Sequence, residues 1–400
     1  MSAKKDTCGF EAQRRLLIVT TAIAVVSDAV LIPFYPRLFA ETFGVQDSEH
    51  VGLYLAATCL TVMFALPMWA QVARWIPTLV LLIGAQVAAG GLSLVCFAST
   101  DLTAFWVASL AMIVFKASYL LVYPYLMRLT DASTQVKTIG ALTVIVHLGA
   151  IAGAVVGGWV LERFTARHGF LVMAFGDFAQ MAVCLFLVLR KARAPRSDPD
   201  VHGSFLRSWA KGRWVPLAKL ASIMLIFYFS AFVVRPFFVQ YWEMRSSIDH
   251  ELLSGLVFSI PAWMSLVCLV YQHRNPDPPP ILRSFALCTL GLLLQSLPNV
   301  FVIGLGLVIF GWSLFRAMVH LDAIIFETHP PELYAAAFSQ MNFFQQLGAL
   351  IAFYVAGFAV SAIGLMAPLA IAAGGCVMTA LLYQRFGVNI PATEKAPAGT

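Results

Sequence analysis

Charged residues are scarce in this sequence. Only 12% of its 400 residues are Asp, Glu, Lys or Arg, against roughly 25% in soluble globular proteins. Hydrophobic residues make up 60%, and the mean hydropathy is +0.82. This balance excludes a soluble enzyme and a disordered chain, because so large an apolar surplus has to face lipid.

Motifs of several other protein classes are also missing. The seven cysteines form no CxxC pair and no cluster with histidine, so we interpret them as small core residues and expect neither disulfide, metal nor cofactor. The sequence has no GxxxxGK[ST] nucleotide motif and no HExxH motif. The longest polar loop, of about 26 residues, is too short for a receptor's extramembrane domain. From the missing motifs we expect no enzymatic activity, and from the short loop we expect no receptor role.

Twelve apolar runs are present, and a bilayer core about 30 Å thick requires about 20 apolar residues per helix. The fold class is thus predicted as an all-α integral membrane protein with twelve transmembrane helices. The first run lacks an Ala-x-Ala exit, so no cleaved signal is expected. The runs cover residues 16–38, 51–73, 78–98, 102–126, 138–161, 169–189, 216–239, 252–271, 281–297, 300–325, 334–363 and 364–386.

The basic residues are unevenly distributed between the two sides of these helices. Of the 26 Lys and Arg residues, 19 fall on the side of the N-terminus, four fall on the other side, and three lie inside helices. Because cytoplasmic loops collect Lys and Arg, both termini are predicted to be cytoplasmic in an inner membrane. The net charge of +6 thus reflects topology, and no nucleic-acid partner is expected.

The chain divides into two similar parts. A linker at residues 191–215, rich in Pro, Ser and charge, separates an N-terminal six-helix bundle (1–190) from a C-terminal one (216–400). Segments of the first part match the second at an offset near 200: His147–Ile151 over Gln346–Leu350, Pro33–Tyr35 over Pro236–Phe238, and Lys116 near Arg316. Such parallel repeats predict two pseudo-symmetric bundles, an architecture of secondary transporters.

One motif supports a family resemblance. Gly149-x3-Gly153-Ala154-x2-Gly157-Gly158 is similar to the G-x3-G-P-x2-G-G motif of proton-driven exporters in the major facilitator superfamily, and the chain resembles that family over its whole length. Gln71 stands where the family's loop between helices two and three carries an acid, so the chain resembles a divergent branch, and its layout is similar to that of siderophore transporters. The resemblance implies a monomeric secondary transporter.

Three aspartates lie within apolar runs, where a charge costs at least about 2.5 kcal/mol. Asp28 is twelve residues into the first run, about 18 Å along a helix. We expect Asp28, and less strongly Asp177 and Asp322, to carry a coupling proton. The alternative for each is a carboxylate that is permanently paired with a basic residue of another helix.

Three basic residues also lie inside the predicted helices: Lys116 and Arg316 near mid-membrane, and Arg235 in the outer third of its helix. Lys116 and Arg316 are repeat-equivalent, so they are expected to face each other across a central cavity and to bind a substrate carboxylate. The alternative is that Asp28, Asp177 or Asp322 neutralises them. Arg235 precedes Pro236 and either reaches the membrane interface or contributes to an outer gate or substrate site.

Further side chains are candidates for the substrate pocket. His320 follows Arg316 by four residues and shares its helix face; the alternative is a hydrogen-bonded core histidine. Tyr119, Tyr123 and Phe344 are predicted to line the pocket, or else to lie in the core or face lipid. The glycines at 149, 153, 157 and 158 are predicted to let a neighbouring helix approach closely.

These observations lead to one function and two alternatives. We expect a proton-coupled secondary active transporter of a small organic anion or zwitterion, such as a siderophore or another metabolite, working by alternating access with export slightly favoured. Its partners would be the substrate, protons and the lipid bilayer. The alternatives are a multidrug exporter of lipophilic compounds and an importer of an organic solute.

Overall fold

The computed structural model describes residues 2–122, 125–126, 132–190, 214–246, 250–274, 280–328 and 334–386. These residues form helices joined by short turns, and they contain no strand. A helix satisfies its backbone polar groups within one segment, which is what a lipid environment requires. The prediction of an all-α membrane protein is confirmed.

The α-helices of the two chain halves are defined as follows. The first half contains α1 (Ser2–Ala29), α2 (Tyr35–Phe43), α3 (Ser48–Val72), α4 (Thr78–Ala98), α5 (Leu102–Lys116), α6 (Ala132–Arg163) and α7 (Gly169–Leu189). The second half contains α8 (Trp214–Phe232), α9 (Phe238–Ser246), α10 (Glu251–Arg274), α11 (Ile281–Gln295), α12 (Val300–Thr328), α13 (Tyr334–Ala362) and α14 (Ala367–Phe386).

Most predicted membrane crossings are present as long apolar helices. Among the described residues, 11 helical segments are long and apolar enough to cross a membrane, with α1 and α2 forming one and α8 and α9 another. Helix α11 is apolar but has only 15 residues, a length of about 22 Å at 1.5 Å per residue. It is shorter than the run 281–297 from which a full crossing was predicted.

Two of the predicted helices are interrupted at matching places. Short 3₁₀ turns at Ile32–Phe34 and Arg235–Phe237 separate α1 from α2 and α8 from α9. Pro33 and Pro236 stand in these turns, and a proline supplies no N–H for a continuous helix. The two turns begin 203 residues apart from each other, which matches the offset between the two sequence repeats. The repeats therefore share a backbone break at the same place. The runs 16–38 and 216–239, each predicted as one crossing, are present as apolar spans, and each is divided by such a turn.

The predicted helix over 102–126 is also interrupted. Helix α5 ends at Lys116 and a 3₁₀ turn follows at Ala117–Leu121. The Trp69 indole N–H donates to the Val114 carbonyl oxygen over 2.6 Å, so a carbonyl near the break is bonded by a side chain of α3. Lys116 is thereby placed at a helix C-terminus, where a cation is favourable.

The two halves meet through two helix pairs. Helix α3 packs against α13, and α6 packs against α10. Within the first half α1 packs on α6 and α7, while α4 packs on α5 and α7; in the second, α8 packs on α13 and α14, and α11 on α12 and α14. We call the end of the molecule that holds residues 190, 214 and 386 the terminal end, and the opposite end the distal end.

Glycines bring the halves close together near the distal end. A Cβ on Gly52 would lie 2.8 Å from the Gly357 Cα, and one on Gly158 would lie 2.9 Å from the Leu252 Cα. Gly255 contacts the Ala154 carbonyl in the same way. Because α3 and α10 occupy equivalent repeat positions, as do α6 and α13, the same kind of crossing occurs twice. We call these two crossings the distal seam.

An ion pair crosses the same seam. Arg37 of α2 contacts the Glu251 carboxylate of α10 and also bonds Glu41 over 2.6 Å. Glu41 in turn accepts from the Ala166 N–H at 3.3 Å. A charged network therefore reinforces the glycine contacts where α2 meets α10.

Candidate functional site

Three charged side chains of the first half form one cluster. The Lys116 Nζ lies 2.8 Å from the Asp28 Oδ1 and 2.7 Å from the Asp177 Oδ1. The Ser93 hydroxyl donates to the other Asp177 oxygen at 3.2 Å. Helices α1, α4, α5 and α7 thus each contribute one side chain to this cluster, which we call the Asp–Lys–Asp triad with Ser93.

Backbone features bring these side chains together. Asp28 lies in the last turn of α1, just before the proline-containing break, and Lys116 is the last residue of α5. Asp177 comes from α7, which approaches α1 closely because a Cβ on Gly176 would lie only 2.6 Å from the Ser27 Cβ. The site is therefore built where two helices end inside the bundle and a third crosses at a glycine.

The charges of the triad do not balance. Two carboxylates share one ammonium, so the cluster carries one excess negative charge when both acids are ionised. The Lys116 side chain is 7% exposed and that of Asp177 1%, whereas Asp28 is 28% exposed. An uncompensated charge in such surroundings is expensive. Binding one proton would make the cluster neutral, and Asp28 is the member that solvent or a ligand reaches.

Arg316 and Asp322 of α12 have different surroundings. Among the described residues, no carboxylate lies within ion-pair distance of the half-buried Arg316. Asp322 accepts from the Gln345 amide at 3.2 Å. No contact joins Lys116 and Arg316 among the described residues, so a substrate carboxylate bound between them stays a prediction. Lys116 instead pairs with Asp28 and Asp177, which was the alternative for this residue.

Arg235 sits among aromatic rings. Its guanidinium carbon lies 4.1 Å from the centre of the Phe232 ring, and Phe232 stacks on Tyr228 and contacts Phe353. Tyr228 is within electrostatic reach of both Arg235 and Asp322. The second half thus offers two arginines, one acid and an aromatic wall, where the first half has a self-paired cluster.

Histidines lie next to this region. His147 of α6 packs edge-on against Phe315 of α12, with ring centres 5.2 Å apart, which joins the halves away from the distal seam. His320 is half-buried, and its Nε2 is buried with no hydrogen-bond partner among the described residues. That nitrogen therefore has unused hydrogen-bonding capacity inside the second half.

The remaining predicted pocket residues are more scattered. Tyr119 is half-buried in the turn after Lys116, and Phe344 is half-buried against the main core and 5.6 Å from Phe343. Tyr123 lies outside the described residues. No contact in the described part of the chain joins Tyr119 and Phe344 to each other, so a shared pocket stays a prediction.

The predicted packing glycines lie at helix crossings. Gly149 and Gly153 face Val25 and Ala29 of α1, and Gly157 faces Val30 just after it, so any side chain at these glycines would collide. Gly158 faces Glu251 and Leu252 of α10 instead. The motif therefore divides its glycines between a contact inside the first half and the distal seam between the halves.

Several partners were missed by the sequence reasoning. Ser93, Gln345, Tyr228 and Glu251 each contact or approach a charged candidate. Ser93 and Gln345 had one available signal, which is a polar residue inside an apolar run. Glu251 had only its position in the first turn of a helix, which does not indicate a partner in the other half.

Comparison with known proteins defines the family. The sequence profile described as "Major Facilitator Superfamily" matches residues 17–353. The chain belongs to the major facilitator superfamily. This membership favours a transporter over an enzyme, in line with the prediction from the sequence.

Relatives in this superfamily are distant. The chain is 24% identical over 266 residues to the class B tetracycline resistance protein of Escherichia coli, a match that covers 64% of each chain. It spans about 64% of the length of that curated relative.

Solved structures show the shared fold. A bacterial homologue of the human lysosomal transporter Spinster, in an inward-facing and occupied conformation, aligns with TM-score 0.75 at 11% identity, covering 94% of this chain and 96% of that one. The nucleoside transporter NupG gives 0.71 at 13%, covering 94% and 98%. A human organic anion transporter gives 0.69 at 13%, covering 93% and 99%.

Proposed function

We propose that this protein is a proton-coupled secondary active transporter of a small organic anion or zwitterion. One observation carries the proposal: Lys116 is held between Asp28 and Asp177, so the cluster has one excess negative charge that a proton can neutralise. Asp28 is the exposed member, and Asp177 is enclosed. Protonation of the triad would weaken the hold of Lys116 on Asp28 and so couple proton binding to helix movement.

The second half supplies the substrate wall in this proposal. Arg316 has no carboxylate partner among the described residues, and Arg235 is stacked on an aromatic ring. A guanidinium binds a carboxylate through two parallel hydrogen bonds. Asp322 and the unpartnered His320 nitrogen would hold an amino or hydroxyl group. This arrangement supports an organic anion or zwitterion over a lipophilic cation.

Alternating access requires the distal seam to open and close. The seam joins the halves through two related glycine crossings and the Arg37–Glu251 ion pair. We propose twelve crossings in two six-helix bundles, with the short α11 as the ninth. Rocking of one bundle against the other would separate α3 from α13 and α6 from α10 at the distal end.

We also propose the orientation that the basic residues predict. With 19 of 26 Lys and Arg residues on the terminal side, that side would be cytoplasmic in an inner membrane. The distal seam then closes the outer face. We propose export as the physiological direction, on the strength of the glycine motif.

The test is accumulation in inverted membrane vesicles. Labelled carboxylate, zwitterionic and siderophore-type solutes, with tetracycline as a lipophilic comparison, are offered with a proton gradient and after a protonophore. We expect gradient-dependent uptake of an anionic or zwitterionic solute. Gradient-driven uptake of lipophilic compounds alone, or uptake that ignores the protonophore, would reject the proposal.

A lipophilic-drug exporter is the second candidate. The similarity to the class B tetracycline resistance protein favours it, and the many aromatic rings beside Arg235 would suit a bulky ring system. The same vesicle experiment decides between the two substrate classes, because both are present in it.

A further inference from the structure

Two buried glutamines lie on α4 and α7, two helices of the first half that pack against each other. Gln86 is 1% exposed and Gln180 2% exposed. Neither amide atom of Gln86, nor the amide oxygen of Gln180, has a hydrogen-bond partner among the described residues. Buried amide groups are normally bonded, and ordered water is the usual partner when protein groups are absent.

The register of the two helices places these amides below the triad. Ser93 bonds Asp177 and Phe178 packs on the Gly90 position, so the antiparallel helices pair near these residues. Gln180 is three residues from Asp177, a rise of about 4.5 Å. Gln86 is seven residues from Ser93 towards the terminal end, about 10.5 Å. The two amides therefore lie about one helical turn apart, on the terminal side of the carboxylate.

Towards the terminal end, an apolar cluster comes next, and a buried polar pair borders it. One turn beyond the glutamines, Leu82 and Cys184 belong to a buried cluster that also contains Tyr125. The Tyr125 hydroxyl accepts a hydrogen bond from the Gln13 amide at 3.3 Å, and both side chains are buried. Gln13 lies in the first half of α1, on the terminal side of Asp28. A second buried polar pair thus lies on the terminal side of the glutamines, with apolar side chains of this cluster between the two polar groups.

We propose that Gln86 and Gln180 hold a file of water molecules that gives Asp177 its own proton route to the terminal end. This proposal rests on the proton coupling proposed above and adds a path to it. Lys116 stands between Asp177 and the partly exposed Asp28, so a hydronium ion that approached from the Asp28 side would have to pass an ammonium before it reached Asp177. The route through α4 and α7 avoids that charge. Asp28 and Asp177 would then exchange protons by different routes.

Radiolytic footprinting of the purified full-length protein tests for the water. X-ray pulses make hydroxyl radicals from bound water in place, so buried side chains beside such water are labelled. We expect Cys184, 1% exposed, to be labelled at least about five-fold faster than Cys288, which is 0% exposed in the second half. Gln86→Leu and Gln180→Leu should remove that excess. Equal labelling of the two cysteines in the parent protein would overturn the proposal.

Infrared spectroscopy tests the link to Asp177. The carboxyl band lost in Asp177→Asn identifies the group, and its shift after transfer to D₂O reports proton exchange. We expect exchange at least about ten-fold slower in Gln86→Leu, with Gln86→Met as a second variant should the leucine disturb folding. The control is Gln295→Leu, whose parent amide is equally buried but bonds the Gly291 carbonyl.

The outcomes separate the two proposals. Unchanged exchange in both Gln86 variants, or equal slowing in Gln295→Leu, would overturn the water route and leave coupling at the triad intact. A parent protein in which no Asp177 carboxyl band appears at any pH would overturn coupling at Asp177, and the route with it.

Discussion

Replacing Lys116 with methionine removes the charge that holds the triad together while nearly keeping the length of the side chain. The ammonium lies 2.8 and 2.7 Å from two carboxylates, one of them fully buried. Removing one partner of a buried ion pair costs about 3–5 kcal/mol. Since Asp28 is partly exposed and can regain water, most of the loss falls on Asp177. We expect Lys116→Met to lower the free energy of unfolding by about 3 kcal/mol.

The assay uses the protein's own cysteines. Cys96, Cys184, Cys268, Cys288 and Cys376 are buried and free, so a thiol-reactive dye reports unfolding as these groups become exposed on heating. The double variant Lys116→Met with Asp177→Asn should recover more than half of the loss, because it removes the unpaired buried charge.

The matched control for this prediction is Lys219→Met. Lys219 is exposed on α8, so its replacement should change stability by at most about 0.5 kcal/mol. A Lys116→Met protein that melts at the parent temperature would refute the reasoning. So would a double variant that is no more stable than the single one.

Three further predictions concern the seam, the substrate site and the topology. Gly158→Leu should open the distal seam, because its Cβ would meet the Leu252 Cα at 2.9 Å. The distance between spin labels at positions 162 and 363 should then increase. The control Gly84→Leu, at a position with open space around it, should leave that distance unchanged. Arg316→Ala should weaken binding of an anionic substrate by about 1.5–3 kcal/mol in calorimetry, and unchanged affinity would remove it from the site. A cysteine introduced at Ser197 should react only from the cytoplasm, and labelling from outside would reverse the orientation.

The depth of the charged residues could be predicted from the sequence, but their partners could not. Counting 1.5 Å per residue placed Asp28 and Lys116 near mid-membrane. Which way Lys116 points depends on where α5 ends and on how closely α7 approaches α1 at Gly176. Those are properties of packing between segments far apart in sequence, so hydropathy does not contain them.

Helix boundaries show the same limit. Apolar runs predicted the long spans because lipid requires about 20 apolar residues, whatever their neighbours are. The breaks after Ala29 and Phe232 had a visible signal in Pro33 and Pro236, because a proline cannot continue the hydrogen bonding of a helix. The break after Lys116 has no proline; its Val114 carbonyl is bonded by Trp69 from another helix. Tertiary contacts decided that boundary.

The central claim is that Asp28 carries the coupling proton, and transport by the Asp28→Asn variant tests it most directly. In vesicles with a substrate from the screen above, the account predicts that this variant exchanges labelled for unlabelled substrate at the parent rate but does not accumulate it against a gradient. Asparagine keeps the size and polarity of the side chain but cannot carry the proton. Glu162→Gln, an exposed acid of α6, should accumulate substrate normally. An Asp28→Asn protein that still concentrates substrate in response to the proton gradient would contradict the account.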